Sequence, residues 1–228
     1  MPENFSRPGL IWDIDGTLLE PLGIGRDALN EAFALRYGVI DAFNGLDFAG
    51  ATDHALWKQA ARRAQVPEGE APRFFPLYVQ HLRERLASSP LQPLPGVVHL
   101  ITALSMQGWR MALGTGNVRL GAYAKLGAAG LALYFPSGGF SEPGLTRQEV
   151  LRRAAETIPA QTHIVIGDTP RDIEAAHGAG LISLAVATGR FDAKTLLASG
   201  ADLVLNDLSL MPRFLEAIRQ LSEKKARE

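Results

Sequence analysis

The sequence predicts an open, parallel α/β sheet flanked by helices on both faces, with a purely helical segment inserted after the first strand. Three observations carry this. Short apolar runs end in turn-forming or acidic residues, as buried parallel strands do. Stretches of helical periodicity lie between most of them. Between Glu20 and Ser89 the strands drop out and only helical patterning remains.

Taken in order, the first strand is Leu10 to Ile14, rich in apolar residues and closed by an acidic turn. The insertion then reads as helices over Arg26 to Tyr37, Asp53 to Gln65 and Arg73 to Ala87. Ala28, Leu29, Ala32, Phe33 and Leu35 recur at helical spacing, so they are expected in the insertion's own core. The chain returns through the stiff connector from Ser89 to Gly96, which holds three prolines. Beyond it come a helix at Val97 to Gln107, a strand at Arg110 to Leu113, a helix at Val118 to Ala129 and a weaker strand at Leu133 to Phe135. Next are a helix at Gln148 to Thr157, a strand at His163 to Ile166 and a helix at Pro170 to Ala179. The pattern closes with a strand at Leu181 to Ala187, a helix at Ala193 to Ala198 and a strand at Leu203 to Leu205. Ser222 to Glu228 reads as a solvated tail. The expected division is a core of residues 1–19 and 90–228 with an insertion of residues 20–89. An insertion at this point lies over the carboxyl ends of the strands, where open α/β proteins bind ligands. A lid is the expectation, and a merely stabilising subdomain is the bland alternative.

Composition narrows the functional classes. The 228 residues are 46% apolar and carry a net charge of -1, so no broad basic field is available for nucleic acid or an anionic membrane. Without cysteine there is no disulfide framework, thiolate nucleophile or cysteine-ligated metal. The segment from Met1 to Pro8 lacks a basic start followed by an apolar run, and no apolar stretch approaches the ~20 residues that span a bilayer. A cytoplasmic protein is expected.

The chemistry concentrates at three strand ends. Asp13-Ile14-Asp15-Gly16-Thr17 follows the first strand directly. Two carboxylates at a buried strand end are costly unless a cation or a proton sits between them. Oxygen ligands with room for water suit magnesium. Gly16 allows a tight turn, and Thr17 offers a hydroxyl and an N–H to an anion. A calcium loop fails on spacing, because its sixth-position glycine would be Leu18 and its twelfth-position glutamate Ile24. The second strand ends in Thr115-Gly116-Asn117, small residues at a junction that can bind phosphate; the alternative is that Asn117 only caps the next helix. The third ends in Asp168-Thr169-Pro170-Arg171-Asp172. There Thr169 is expected as N-cap, Pro170 as the first helical residue and Asp172 as the box partner. Asp168 lies before the cap and is left to complete a metal site with the first pair, Asp172 assisting.

In that order these motifs resemble the haloacid dehalogenase superfamily, and the helical insertion is similar to the cap of its phosphoglycolate phosphatase-like branch. The resemblance implies a Rossmann-like core and a magnesium-dependent phosphomonoester hydrolase acting on a small phosphorylated metabolite. It further implies Asp13 as nucleophile, forming an aspartyl phosphate, and Asp15 as acid and then base. Magnesium would be held by Asp13, the Asp15 carbonyl and Asp168, with Asp172 in support. Thr115, Gly116 and Asn117 would hold phosphate. The family's lysine, usually within a Lys-Pro pair, is missing in that form. Lys125 is rejected as a substitute, because about eight residues of helix beyond Asn117 would carry it roughly 12 Å from the active end. Arg147, opening a helix after a loop, is preferred for its permanent charge and bidentate grip. A haloacid dehalogenase, a phosphosugar mutase and a non-catalytic phosphate binder are the rival readings. A dehalogenase has no use for Asp15, and a mutase differs chiefly in its lid. Of the histidines, only His54, beside Thr52 and Asp53, is near enough to a lid-helix start to meet substrate, and it is not expected to.

Overall fold

A computed structural model describes residues 7–20 and 22–225. The reading of the first residues therefore falls largely on positions outside the described ones. Six strands form one sheet, β1 (Gly9–Trp12), β2 (Met111–Gly114), β3 (Gly138–Gly139), β4 (His163–Gly167), β5 (Ile182–Val186) and β6 (Leu203–Leu205). Their order is β3-β2-β1-β4-β5-β6, and every pairing is parallel. The helices are α1 (Ile24–Tyr37), α2 (Asp53–Arg63), α3 (Ala71–Ser88), α4 (Val97–Met106), α5 (Arg119–Ala128), α6 (Arg147–Glu156), α7 (Pro170–Gly178), α8 (Ala193–Ala198) and α9 (Met211–Lys225). No helix among the described residues is long and apolar enough to cross a membrane.

Alternation along the strands sorts the core into two faces. Leu10, Trp12, Leu113, Ile164 and Ile166 join one apolar cluster, while Ile11, Ala112 and Val165 join another on the opposite face. Both faces are covered, which is why the strands read as continuous apolar runs.

Three differences from the sequence expectations have local causes. The third strand is not Leu133 to Phe135. That stretch lies at a 3₁₀ turn, with Leu133 95% exposed, and the edge strand is the pair Gly138–Gly139. A Cβ on Gly139 would fall 1.9 Å from the Val150 carbonyl oxygen, so close packing of α6 demands glycine where strand preference would never suggest it. Of the expected solvated tail, residues 226–228 lie outside the described ones, while Ser222 is buried and α9 continues to Lys225 with Lys224 and Lys225 exposed. Phe214, Ala217, Ile218 and Leu221 form its buried stripe, and Phe214 stacks on Trp12 with ring centroids 5.5 Å apart. Leu35 is exposed rather than in the insertion's core, because the last turn of α1 directs Tyr37 inward against Phe33.

Among its described residues, the segment between β1 and α4 contains α1, α2 and α3 and no strand. Phe33, Phe43 and Phe74 interlock there by edge and stacked contacts. Its outgoing and returning chains run side by side. The Glu20 N–H donates to Gln92 O, and the Leu94 N–H donates to Leu18 O. Prolines in the returning strand stiffen this double connection.

Candidate active site

Register brings the three motifs together. Trp12 is level with Leu113 on one side and Ile166 on the other, so the residues just beyond each strand emerge side by side. They are Asp13 and Asp15 from β1, Thr115 to Asn117 from β2, and Asp168 from β4. The helical segment faces them across a cavity of about 800 Å³.

One carboxylate oxygen from each of Asp13, Asp168 and Asp172 lies within 4.8 Å of the others, and all three residues are buried. Arg147, at the start of α6, donates through Nη2 to Asp13 Oδ1 at 2.8 Å and to Asp172 Oδ1 at 2.7 Å. Thr169 caps α7 as expected, and Asp172 Oδ2 takes its N–H and hydroxyl, leaving Oδ1 for Arg147. Burial pushes the Asp13 carboxyl up to about 6 despite Arg147, with Asp172 and Asp15 adding to the rise. Burial, then Asp172 and Asp13, push Asp168 up to about 9. One guanidinium thus serves two of three crowded carboxyls and leaves Asp168 without a cation among the described residues, while its own buried Nη1 has no hydrogen-bond partner.

The side chain of the second carboxylate of the first motif belongs to a different group, which differs from the expectation that a cation or a proton sits between the two carboxylates. Asp15 is gripped by Lys125 Nζ at 2.6 and 2.8 Å, and Asn117 Nδ2 donates to it at 2.8 Å. Burial raises the Asp15 carboxyl, but Lys125 and Asn117 more than offset it and the net shift is downward. The repulsion between the two aspartates is relieved by two separate buried cations, not by one shared partner.

The rejection of Lys125 is therefore also corrected. Helix α5 begins at Arg119, so only about 9 Å of rise separates Lys125 from the helix start. A helical side chain leans toward the N-terminus, and a lysine stem can span the remainder. Lys125 is 5% exposed, and its position alongside the cavity shows that α5 does not carry it away from the site.

Gly16 and Thr17 do not face the cavity. Gly16, at φ 86°, donates its N–H to Leu19 O. A Cβ there would lie 2.4 Å from Asp168 Oδ2. The Thr17 N–H goes to Ile14 O and its hydroxyl to Asp168 Oδ1 at 3.2 Å, so both groups expected to serve an anion are engaged within the protein. Thr115, Gly116 and Asn117 do line the cavity. Asn117 is not the cap of α5, since its amide holds Asp15 and Thr115 Oγ1.

The cap of α5 comes from elsewhere. Asp53 Oδ2, at the start of α2, accepts from the Val118 N–H at 2.8 Å. Sequence reasoning passed over Asp53 in favour of its neighbour His54, which bonds Ser141 and lies against Phe75 without lining the cavity. Burial pushes Asp53 up to about 6, with Lys125 and the Val118 N–H opposing. The signal that could have found it was Thr52-Asp53, a capping residue followed by an acid that the helix did not need.

The model of haloacid dehalogenase-like hydrolases matches residues 8–180. The chain belongs to that family, and is accordingly a hydrolytic enzyme. It is 26% identical over 195 residues to a phosphoglycolate phosphatase of Mesorhizobium japonicum, covering 82% of this chain and 86% of the relative. To a phosphoglycolate phosphatase of Synechococcus elongatus it is 29% identical over 214 residues, covering 93% and 97%. Among solved structures, CbbY from Rhodobacter sphaeroides in complex with phosphate superposes with a TM-score of 0.70 at 20% identity. That match covers 89% of this chain and 95% of the other, and it shows the shared fold.

Proposed function

We propose that the protein is a magnesium-dependent phosphomonoester hydrolase that forms a phospho-enzyme on Asp13. The hydrolase class follows from the family, and the phosphoglycolate phosphatases among the relatives support the phosphatase kind. The finer reading is supported above all by the separation of two carboxylates two residues apart: Asp13 in the acidic trio, and Asp15 held beside it by Lys125.

The residues present fit a divalent cation. Three buried carboxyls offer only oxygen donors, one guanidinium cannot neutralise them all, and Asp168 is forced up to about 9 by burial and then by its acidic neighbours. Glycines leave room around it, since a Cβ on Gly189 would lie 1.8 Å from Asp168 Oδ2. Asp13, Asp168 and the Asp15 backbone carbonyl would hold magnesium, with Asp172 in support. When bound, it supplies charge neutralisation and alignment for the phosphate. The protein's own groups do the rest. An Asp13 carboxylate oxygen bonds to phosphorus as the ester P–O bond breaks, and Asp15 delivers a proton to the departing alkoxide. Asp15 then takes a proton from water, whose oxygen displaces Asp13 and releases inorganic phosphate. The lowered pKa of Asp15 favours this second half. The first half requires Lys125 to share its charge with the incoming phosphate. Thr115, Gly116 and Asn117 receive phosphate oxygens, and Arg147 orients Asp13. Residues 20–89 act as the cap over the cavity.

The proposed substrate is a small phosphorylated metabolite, with phosphoglycolate the first to assay because relatives of this similarity carry that name. Asp13→Asn should abolish turnover of p-nitrophenyl phosphate with magnesium present while leaving the circular dichroism spectrum unchanged. More than a trace of remaining activity would remove Asp13 from the nucleophile's role.

A further inference from the structure

The helical insertion reaches into the phosphate-binding turn at one point, and there the hydrogen bonding is reciprocal. The Asp53 N–H donates to Gly116 O at 2.7 Å, while Asp53 Oδ2 accepts from the Val118 N–H at 2.8 Å. Between these two anchored residues stands Asn117, which donates to Asp15. Asn117 O in turn accepts from the Ser141 N–H, and the Ser141 hydroxyl accepts from the His54 N–H at 3.0 Å. The backbones touch too closely for any other residue at the turn. A Cβ on Gly116 would fall 2.1 Å from Ala51 O. Helix α5 begins just beyond, with Val118 at its N-cap and no side chain of its own strand–helix junction to cap it.

We infer that Asp53 is a positioning residue: as an N-cap supplied to α5 from the helical insertion, it holds the 116–118 turn, and through Asn117 the Asp15 carboxylate, in working geometry. A carboxylate at a helix N-terminus is favoured by the helix dipole and the open N–H groups there. Its bond to an amide is of the stronger, charge-assisted kind. Asp53 is 7% exposed and α2 needs no help from it, because Thr52 already caps that helix by accepting from the Ala55 N–H. The arrangement makes the turn complete only when the insertion is seated. The inference rests on the phosphatase reading given above.

The test compares Asp53→Ala, Asp53→Asn and Thr52→Ala with the wild type, using p-nitrophenyl phosphate and magnesium. Asp53→Ala should lower kcat by about 10- to 100-fold, the range expected for misplacing catalytic groups by a fraction of an ångström to one, with KM changed far less. Asp53→Asn keeps an oxygen for the Val118 N–H and should recover kcat to within about threefold of wild type. Thr52→Ala loosens α2 without touching the turn and should leave kcat near wild type. Amide exchange of Val118 provides a readout free of turnover: protection should vanish in Asp53→Ala and persist in Asp53→Asn. Wild-type kcat in Asp53→Ala overturns the inference alone. So does an Asn variant as impaired as Ala with Val118 still protected, since Asp53 would then act on substrate by its charge. If the wild type hydrolyses no phosphate ester, the phosphatase reading falls and takes the inference with it.

Discussion

At the scale of single residues, the site is organised by which cation each carboxylate meets. Asp13 and Asp15 are two positions apart, yet one faces Arg147 and the other Lys125. That division allows neighbouring groups of one chemical type to hold different proton affinities, the Asp13 carboxyl rising to about 6 while Asp15 falls. Lys125→Met removes both ammonium contacts to Asp15 and leaves Asn117 as its main support. The variant should fold, and kcat for p-nitrophenyl phosphate should drop at least about tenfold, less than the full worth of a general acid–base group because Asp15 itself remains. An unchanged kcat would exclude Lys125 from the working site.

At the scale of elements, the interface between α2 and the core carries a second titratable group. His54 bonds the Ser141 hydroxyl through Nδ1 at 2.9 Å, and burial lowers its pKa from 6.5 to about 4. Between those values the unfolded chain takes up a proton that the folded protein refuses. The stability this contributes is complete above pH 6.5 and is lost as the pH falls toward 4. The ring is only partly buried, so the loss is about 2 kcal/mol rather than the full linkage value. Urea unfolding near pH 7 and near pH 4.5 should show the wild type losing about that much more than His54→Gln. Equal losses would show that His54 does not titrate with folding. The same interface explains why α5 starts without a local cap, since Asp53 arrives from the insertion to provide it.

At the scale of the whole molecule, residues of the core and of the helical segment line one cavity, and Asp13 and Asp168 of the acidic trio lie along it. Three crowded carboxyls destabilise the fold when no cation neutralises them, so an ion held there would add to the stability of the folded protein. Magnesium should raise the thermal midpoint by several degrees over the same protein in EDTA, and EDTA should abolish turnover until magnesium is restored. Chelator-insensitive turnover would contradict the metal assignment.

How much was legible follows from the range over which each signal acts. Strands and helices were readable because burial on two faces writes continuous apolar runs, and amphipathic packing writes a 3.6-residue period. Thus Thr169-Pro170-x-Asp172 announced both a cap and the start of α7. The aspartates at the ends of β1 and β4 were readable because an acid directly after a buried run is costly to desolvate without a partner. The sequence by itself therefore determined the α/β core, the helical insertion and the placing of Asp13 and Asp168 at neighbouring strand ends. Only the tertiary structure decided that Lys125 reaches Asp15, that Arg147 bridges Asp13 and Asp172, and that Asp53 caps a helix 65 positions away. Such pairings depend on helix direction and on contact between distant segments, and charge interactions carry no periodicity along a chain. The glycine strand β3 was hidden for a related reason: close approach of α6, a property of the packed molecule, selected its residues.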